Sequence, residues 1–568
     1  MRVGRPEKIR LGETLLLQKL ISQEQLRLAL EEQRRTGRKL GRVLIEQGFV
    51  TEDQICEGLA KQFGIPYINL KYANVSPAVA RKLPEMYARR HRALVLEERE
   101  NSCLVGMSDP SDLVAYDEIA RILKRDIDLA VVNESLLLQT LDRVYRRTEE
   151  ITGLARALEQ DIGDSVIDLN TLSASASVED APVVRLLQTL FEDATQVEAS
   201  DIHIEPQEHR LHVRFRIDGM LVLQTEADAK IAPPLVLRLK LMAGLDISEK
   251  RLPQDGRCNV RARGQQIDVR ISTMPTQHGE SVVLRLLNQS AGARGLDTLG
   301  MPPAILGRVR ALSHRSSGMI LVTGPTGSGK TTTLYSTLAE INTIDKKIIT
   351  VEDPVEYRLP GVTQVQVNEK IDLTFARVLR SVLRHDPDVI LVGEMRDQET
   401  VQIGLRAALT GHLVFSTLHT RDAASTPIRL IDMGAPPYMV STSLHTVLAQ
   451  RLVRLVCESC AEPHALTSQE RAWLEACGES LSDGNFVRGR GCTHCNGTGY
   501  RGRNGVYELL EMDSDLVEAV NRNDPAGFME LARVRMQGCT LRSHALSLAA
   551  GGRTTIAEVM RVTSEVED

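Results

Sequence analysis

The chain is predicted to be an α/β protein of several domains, and three observations lead there. Its 568 residues exceed what one hydrophobic core organises, so three to five domains are expected. At 42% apolar and 25% charged residues, the composition supports packed cores rather than disorder. Short apolar runs bounded by turns alternate with helix-sized stretches, most clearly beyond Met301, where "MILVTG", "IIT", "VILVG" and "LVFST" recur. That alternation is the mark of a mostly parallel sheet with helices on both faces.

The same composition narrows the function classes. Aromatic residues make up 3% of the chain, with one tryptophan, Trp473, so stacking platforms for single-stranded nucleic acid are not expected. A formal charge of −6 argues against a dedicated DNA binder, and no nucleic-acid partner is predicted. No run of 18 apolar residues occurs, and "MRVGRPEKIR" lacks an apolar signal core. The chain is therefore expected inside the cell, reaching a membrane only through partners. Nine cysteines in such a setting suggest metal or structural thiols before disulfides.

Residues 1–64 form a repeat. "RLGETLLLQKLISQEQLRLALEEQ" (10–33) returns 29 positions later as "KLGRVLIEQGFVTEDQICEGLAKQ" (39–62). Ser22 with Gln25, and Thr51 with Gln54, have the spacing of capping boxes, so two linked helical pairs are predicted. Residues 65–150 read as a small α/β unit, with "IPYINL", "ALVLEE", "CLVGMS" and "LAVV" as its apolar runs. A polar stretch within 151–182, ending at Pro182, reads as a linker. Residues 183–298 form a second α/β unit whose strands "LHVRFRIDGML" and "IDVRIS" carry Arg214, Arg216 and Arg270. Their plain reading is solvated arginines on a sheet face. Residues 299–568 form the third and largest unit.

"GPTGSGKT" (Gly324, Pro325, Thr326, Gly327, Ser328, Gly329, Lys330, Thr331, then Thr332) lies between a strand and a helix and satisfies the P-loop pattern. Its glycines let backbone N–H groups face phosphate oxygens at a helix N-terminus. Lys330 is expected to reach the β- and γ-phosphates, and Thr331 to ligate Mg²⁺. The second acidic strand, "DVILVGEMRD", has Gly393 where a metal-holding aspartate is usual, followed by Glu394. Glu394 is then placed to hold attacking or metal-bound water. "VEDPVEY" offers Asp353 and Glu356 to orient water or metal, although Glu352 or Asp353 could equally cap the turn before Pro354. His412 and His419 flank one strand, and a structural role for them competes evenly with γ-phosphate sensing. Cys457 and Cys460, with Cys492 and Cys495, are two C-x-x-C pairs 31 residues apart, the spacing of a closed four-thiolate Zn²⁺ knuckle in which His494 is a bystander.

"GPTGSGKTTTLY", "VEDPVEY", "RHDPDVILVGEMRD" and "LTGHLVFSTLHT", in this order, resemble the secretion ATPase superfamily, the motors of type II secretion and type IV pilus assembly. The resemblance covers about residues 65–568, and the C-x-x-C pairs match the assembly branch. It implies a RecA-like ATPase domain at 299–568, with its knuckle at 453–503 and a helical region at 506–568, preceded by a PAS-like domain at 183–298. It further implies a homohexamer on inner-membrane platform proteins. ATP would lie between the two domains of one chain, served by Lys330, Glu356, Glu394, His412 and His419. The family's phosphate-seeking arginines match Arg214, Arg380 and Arg384, while a further arginine of some members aligns with Ala229 here.

The repeat resembles the N-terminal module of the mannose-sensitive pilus motors, which binds cyclic di-GMP. Arg10, Leu11, Gly12, Leu15, Leu26, Leu30 and Gln33 match its first half. Leu40, Gly41, Leu44, Ile55, Leu59 and Gln62 match the second. The resemblance implies a cytoplasmic motor at the inner membrane under cyclic di-GMP control. The competing readings are a same-class motor whose repeat only docks the platform, and a nucleotide-gated scaffold too slow to be a motor.

Overall fold

The computed structural model describes residues 11–36, 40–99, 102–145, 151, 153–155, 158, 182–288, 295–477 and 484–567. Arg10 and nearly all of the expected linker lie outside them. The described residues form two compact units. One contains those up to residue 149 together with Cys457–Ala461 and Gly489–Gly499, and the other contains the rest.

The first unit opens with four helices, α1 (Leu11–Leu17), α2 (Gln23–Thr36), α3 (Leu40–Glu46) and α4 (Glu52–Phe63), which pack mainly across the repeat, α1 on α4 and α2 on α3, rather than as the two sequential pairs expected. Both capping boxes form. Ser22 Oγ accepts from the Gln25 N–H at 3.1 Å while Gln25 Oε1 accepts from the Ser22 N–H at 2.8 Å. Thr51 and Gln54 repeat the exchange at 3.3 and 2.9 Å. Leu15, Ile21, Val43, Leu44 and Ile55 form the shared core. The glycines are used for packing: a Cβ on Gly12 would stand 2.8 Å from Leu26 Cδ1, and one on Gly41 3.1 Å from Ile55 Cγ2. Leu26 and Ile55 are themselves repeat equivalents, so one close helix contact is made twice.

Next comes a three-stranded sheet of β1 (Ala93–Glu98), β2 (Ser102–Met107) and β3 (Asp126–Val131), antiparallel between β1 and β2 and parallel between β2 and β3. Helices Leu113–Leu123 and Glu134–Val144 complete it. "IPYINL" contributes only a bridge between Tyr67 and Val131, since Pro66 has no N–H to extend a ladder.

The second unit begins with helix Pro182–Gln196 and a fully antiparallel sheet in the order β6-β5-β4-β9-β8-β7. Its strands are β4 (Asp201–Pro206), β5 (Arg210–Ile217), β6 (Met220–Asp228), β7 (Gln254–Ala262), β8 (Gln265–Thr276) and β9 (Gly279–Asn288). Alternate residues Ile202, Ile204, Val213, Phe215, Val269 and Ile271 face its core, leaving the arginines on the opposite face.

A seven-stranded sheet follows. Its strands are β10 (Gly318–Thr323), β11 (Ile348–Glu352), β12 (Thr363–Gln366), β13 (Val389–Val392), β14 (Leu413–Leu418) and β15 (Leu444–Val456). After the short β16 (Ala461–Pro463) and β17 (Val487–Gly489), β18 (Tyr500–Glu511) returns to its edge. The order is β12-β11-β13-β14-β10-β15-β18, parallel throughout except that β18 runs antiparallel to β15. Along β10, Met319 and Leu321 face one core while Ile320 and Val322 face the other, as a strand covered on both sides requires.

Candidate functional site

The C-terminal end of β10 turns at once into the P-loop and then into helix Lys330–Ile341. Gly324 has φ +145°, and a Cβ there would lie 2.3 Å from the Gln450 carbonyl, so only glycine allows this turn. Lys330 is buried, its Nζ donating to the carbonyls of Gly324 (2.8 Å) and Pro325 (2.9 Å). Burial lowers its pKa to about 8; the Glu394 carboxylate pulls upward and Arg451 adds to the lowering. Ser328 Oγ is buried and has no partner among the described residues, and Thr331 is exposed at the helix start. An unsatisfied hydroxyl, a buried cation and the open N-terminus of a helix fit a polyphosphate carrying Mg²⁺.

Glu394 follows β13, and Gly393 between them is wedged against β11. A Cβ on Gly393 would meet the Val351 carbonyl at 3.2 Å and Glu352 Cα at 3.3 Å, so an aspartate side chain would crowd the neighbouring strand. The Glu394 carboxylate is mostly buried, 2.7 Å from Arg396 Nε and 3.8 Å from His419 Nε2. Burial first, and then the charge of Lys330, lower the pKa of His419, which is neutral at pH 7. Lys330, Glu394 and His419 thus converge at the carboxyl edge of the parallel strands, where α/β sheets bind ligands. His412 stands at the opposite end of β14, about 20 Å away along the strand, with its Nδ1 bonded to the Ala407 carbonyl at 3.0 Å.

The aspartate-rich loop is held from the six-stranded antiparallel sheet of the same unit. Arg270 on β8 pairs with Glu356 at 3.0 Å and donates to the Val355 carbonyl at 3.2 Å. Arg214 on β5 pairs with Glu205 at 2.6 Å. Asp353 is exposed. Arg380 pairs with Glu399, and Arg384 donates to the Arg380 carbonyl at 2.7 Å; both arginines are exposed. Sequence reasoning kept Arg270 as a solvated arginine, which its pairing with Glu356 corrects, and did not single out Arg396. Strand alternation marks Arg270 only as polar-facing, and nothing in a motif says which loop that face meets.

Cys457, Cys460, Cys492 and Cys495 bring their sulfurs within 4.8 Å of one another, with three separations of 3.8, 3.9 and 3.8 Å. Tetrahedral Zn–S bonds of about 2.3 Å imply S···S distances of about 3.8 Å, so the cluster fits zinc. N–H groups of Cys492 and Gly499 each donate to Cys495 Sγ at 3.2 Å, as thiolate ligands prefer. His494 is no ligand. Arg143 donates to its Nδ1 at 2.6 Å, leaving Nε2–H for the Ala73 carbonyl at 3.3 Å. All four residues inside the two C-x-x-C pairs face the segment Lys71–Asn74: Glu458 pairs with Lys71, Ser459 donates to its carbonyl, and Thr493 lies 3.4 Å from Asn74 Oδ1.

In the repeat, Gly12, Leu15, Gly41, Leu44 and Ile55 are buried, and Leu11, Leu26, Gln33, Leu40, Leu59 and Gln62 are half-buried. Leu30 is 38% exposed. The buried Gln62 Oε1 finds no donor among the described residues.

A P-loop on a mostly parallel sheet, with a glutamate at the end of β13, one strand removed from the P-loop strand, defines a RecA-like nucleotide hydrolase. The comparisons place it further. A family model described as "Type II/IV secretion system protein" matches residues 176–561, and one described as "MshEN domain" matches residues 63–151. The chain belongs to the type II/IV secretion system protein family and is an ATPase of it. It is 41% identical over 567 residues to the type IV pilus assembly ATPase PilB of Myxococcus xanthus, covering 98% of this chain and 99% of that one. It is 42% identical over 504 residues to the type II secretion system ATPase E of Vibrio cholerae, covering 86% and 99%. The solved Legionella pneumophila ATPase DotB shares the fold, with a TM-score of 0.51 at 22% identity over 67% of this chain and 95% of that one. The MshEN match falls on the small α/β region, and the helical repeat precedes it. Among the described residues, no helix is long and apolar enough to cross a membrane.

Proposed function

We propose that this ATPase acts as a cytoplasmic homohexamer, driving assembly of a type IV-like pilus or a type II secretion pseudopilus against inner-membrane platform proteins. The carrying observation is that Arg270 on the antiparallel sheet pairs with Glu356, whose main chain is bonded to Tyr335 on the helix that follows the P-loop. A ligand lodged between two domains that already share an ion pair can alter their relative orientation at each turnover.

Within that reading, residues 324–332 cradle the triphosphate, and Lys330 exchanges its carbonyl partners for phosphate oxygens. Thr331 would hold Mg²⁺, which offsets phosphate charge. Glu394 orients the attacking water, with neutral His419 beside it to read the γ-phosphate and Glu356 as the second carboxylate. Arg214, Arg380 and Arg384 are candidates to reach the phosphates once the assembly closes, where a placed guanidinium contributes about 10³–10⁵ in rate. The four cysteines would hold one Zn²⁺ as a structural site with no open position. Cyclic di-GMP would bind the repeat, with half-buried leucines covering guanine faces, the Gln62 amide oxygen accepting a guanine N–H, and Arg10 meeting a phosphate.

The assignment is tested with the full chain. Lys330→Ala should abolish ATP turnover, while Glu394→Gln should retain nucleotide binding and slow hydrolysis by about 10²–10⁴. Normal turnover in either variant would overturn the corresponding role. Light scattering during size exclusion should report a mass of six chains; a stable monomer active in turnover would refute the hexamer.

A further inference from the structure

The helix that starts at Lys330 also carries Tyr335, and every bond its hydroxyl can make goes to the acidic strand and loop beside it. Tyr335 is fully buried and donates to the Glu352 carboxylate. The same oxygen accepts from the Glu356 N–H and from Gln364 Nε2, each at 3.4 Å. The hydroxyl thus both donates and accepts within the site.

The partners are tied to each other as well. Glu352, itself buried, accepts from Thr350 Oγ1 at 2.5 Å and from Gln364 Nε2 at 3.3 Å. Gln364 donates to the Tyr357 carbonyl at 3.2 Å and accepts from the Leu359 N–H at 2.8 Å. The Tyr335 ring meets that of Tyr357 edge-on, with centroids 4.6 Å apart. A buried carboxylate and a buried phenol are costly unless satisfied, so a helix needing only apolar filling would have phenylalanine here and an aliphatic residue at 352. What the network fixes is the backbone of residues 352–359, and with it the point from which Glu356 projects.

We propose that Tyr335 is a positioning residue for Glu356. It locks the loop bearing that carboxylate to the helix bearing Lys330 and Thr331, so one rigid body sets the phosphate cradle and the height of the carboxylate above it. The proposal rests on the reading of Glu356 as a working carboxylate of the site. Arg270 holds the tip of Glu356 from the antiparallel sheet, whereas Tyr335 holds its main-chain root. The tip can therefore be released by domain movement while the root stays in register with the P-loop.

The experiment is steady-state ATP turnover of the full chain carrying Tyr335→Phe, Glu356→Gln or both, with Thr446→Val as a control. The control removes a fully buried hydroxyl bond between β15 and β18, made to the Leu510 carbonyl at 2.8 Å, away from the loop. Tyr335→Phe should lower kcat by about 10- to 100-fold and leave KM for ATP within about twofold, the split expected from misplacing a group that acts only in the transition state. In the Glu356→Gln background it should cost little more, because the group it places is already disabled. Thr446→Val should lower the melting temperature yet keep kcat. If Glu356→Gln stalls turnover while Tyr335→Phe changes kcat no more than Thr446→Val does, the positioning role is wrong. Full activity of Glu356→Gln would overturn the reading beneath it instead.

Discussion

The Lys330 ammonium is buried with two carbonyls as hydrogen-bond partners, and its pKa is lowered to about 8, chiefly by burial. A triphosphate beside it favours the charged form, so binding raises that pKa. Binding then takes up a proton between about pH 8 and the higher pKa of the bound state, and affinity falls as pH rises through that window, at most about tenfold per unit. Below pH 8 Lys330 is already charged, and the dependence from this residue vanishes. Calorimetry of ATP binding at pH 8.5, in buffers of unlike ionisation enthalpy, should report net proton uptake that Lys330→Met removes. Heats independent of the buffer would overturn the account. Residues whose chemistry is set by the chain around them, such as Lys330, Thr331 and Glu394, are legible in the sequence because strand, turn and helix follow one another there without a break. His412 and His419 look alike as a pair flanking one strand, but strand direction separates them: in a parallel sheet the carboxyl ends share one edge, and only His419 follows β14. The role of Arg270 is not legible because its partner lies 86 residues away, on the loop after a strand of another sheet.

At the scale of elements, the parallel sheet, the P-loop helix and the two capping boxes are readable because each depends on periodicity or on a spacing of three residues. The antiparallel return of β18 is not, since pairing between strands this distant in sequence depends on the loop that joins them. That loop holds the knuckle, whose Cys457 N–H bonds the Gly499 carbonyl at 2.9 Å and whose Gly489 and Gly499 backbones meet too closely for any Cβ. Both features depend on four thiols being gathered at one point. One zinc per chain is expected from metal analysis of the native protein. Chelation should expose four further thiols to alkylation and raise hydrogen exchange in residues 457–500, because without the metal nothing ties the four sulfurs to one point. Since Glu458, Ser459, Thr493 and His494 all face Lys71–Asn74 and Arg143, exchange at residues 71–74 should rise with it. Four thiols already reactive in the untreated protein, with no metal bound, would refute the site.

For the whole molecule, the repeat lies outside residues 176–561, which carry the P-loop, Glu394 and His419, so what it adds has to be sought in its own residues. Much of the motif is explained by packing alone: Leu15 and Leu44 are core, and Gly12 and Gly41 make room for Leu26 and Ile55. A docking module would need no more than that. Packing does not explain the Gln62 amide oxygen, buried without a donor among the described residues, or Leu30, left 38% exposed on a helix whose other motif leucine is half-covered. An unsatisfied buried acceptor costs about 1–3 kcal/mol, a cost that a ligand N–H would relieve. The two-fold repetition also matches a ligand built of two identical halves. Cyclic di-GMP added to the full chain at about 100 times its Kd should stabilise the N-terminal unit by about 2.7 kcal/mol, seen as a higher first melting transition. Gln62→Ala should weaken binding by about tenfold, and Arg10→Ala by at least as much, because a phosphate contact is charge-assisted. Linear dinucleotides should give no shift. If the chain melts identically with and without cyclic di-GMP, the repeat is a docking module, and any control of the motor must enter through its platform partner instead.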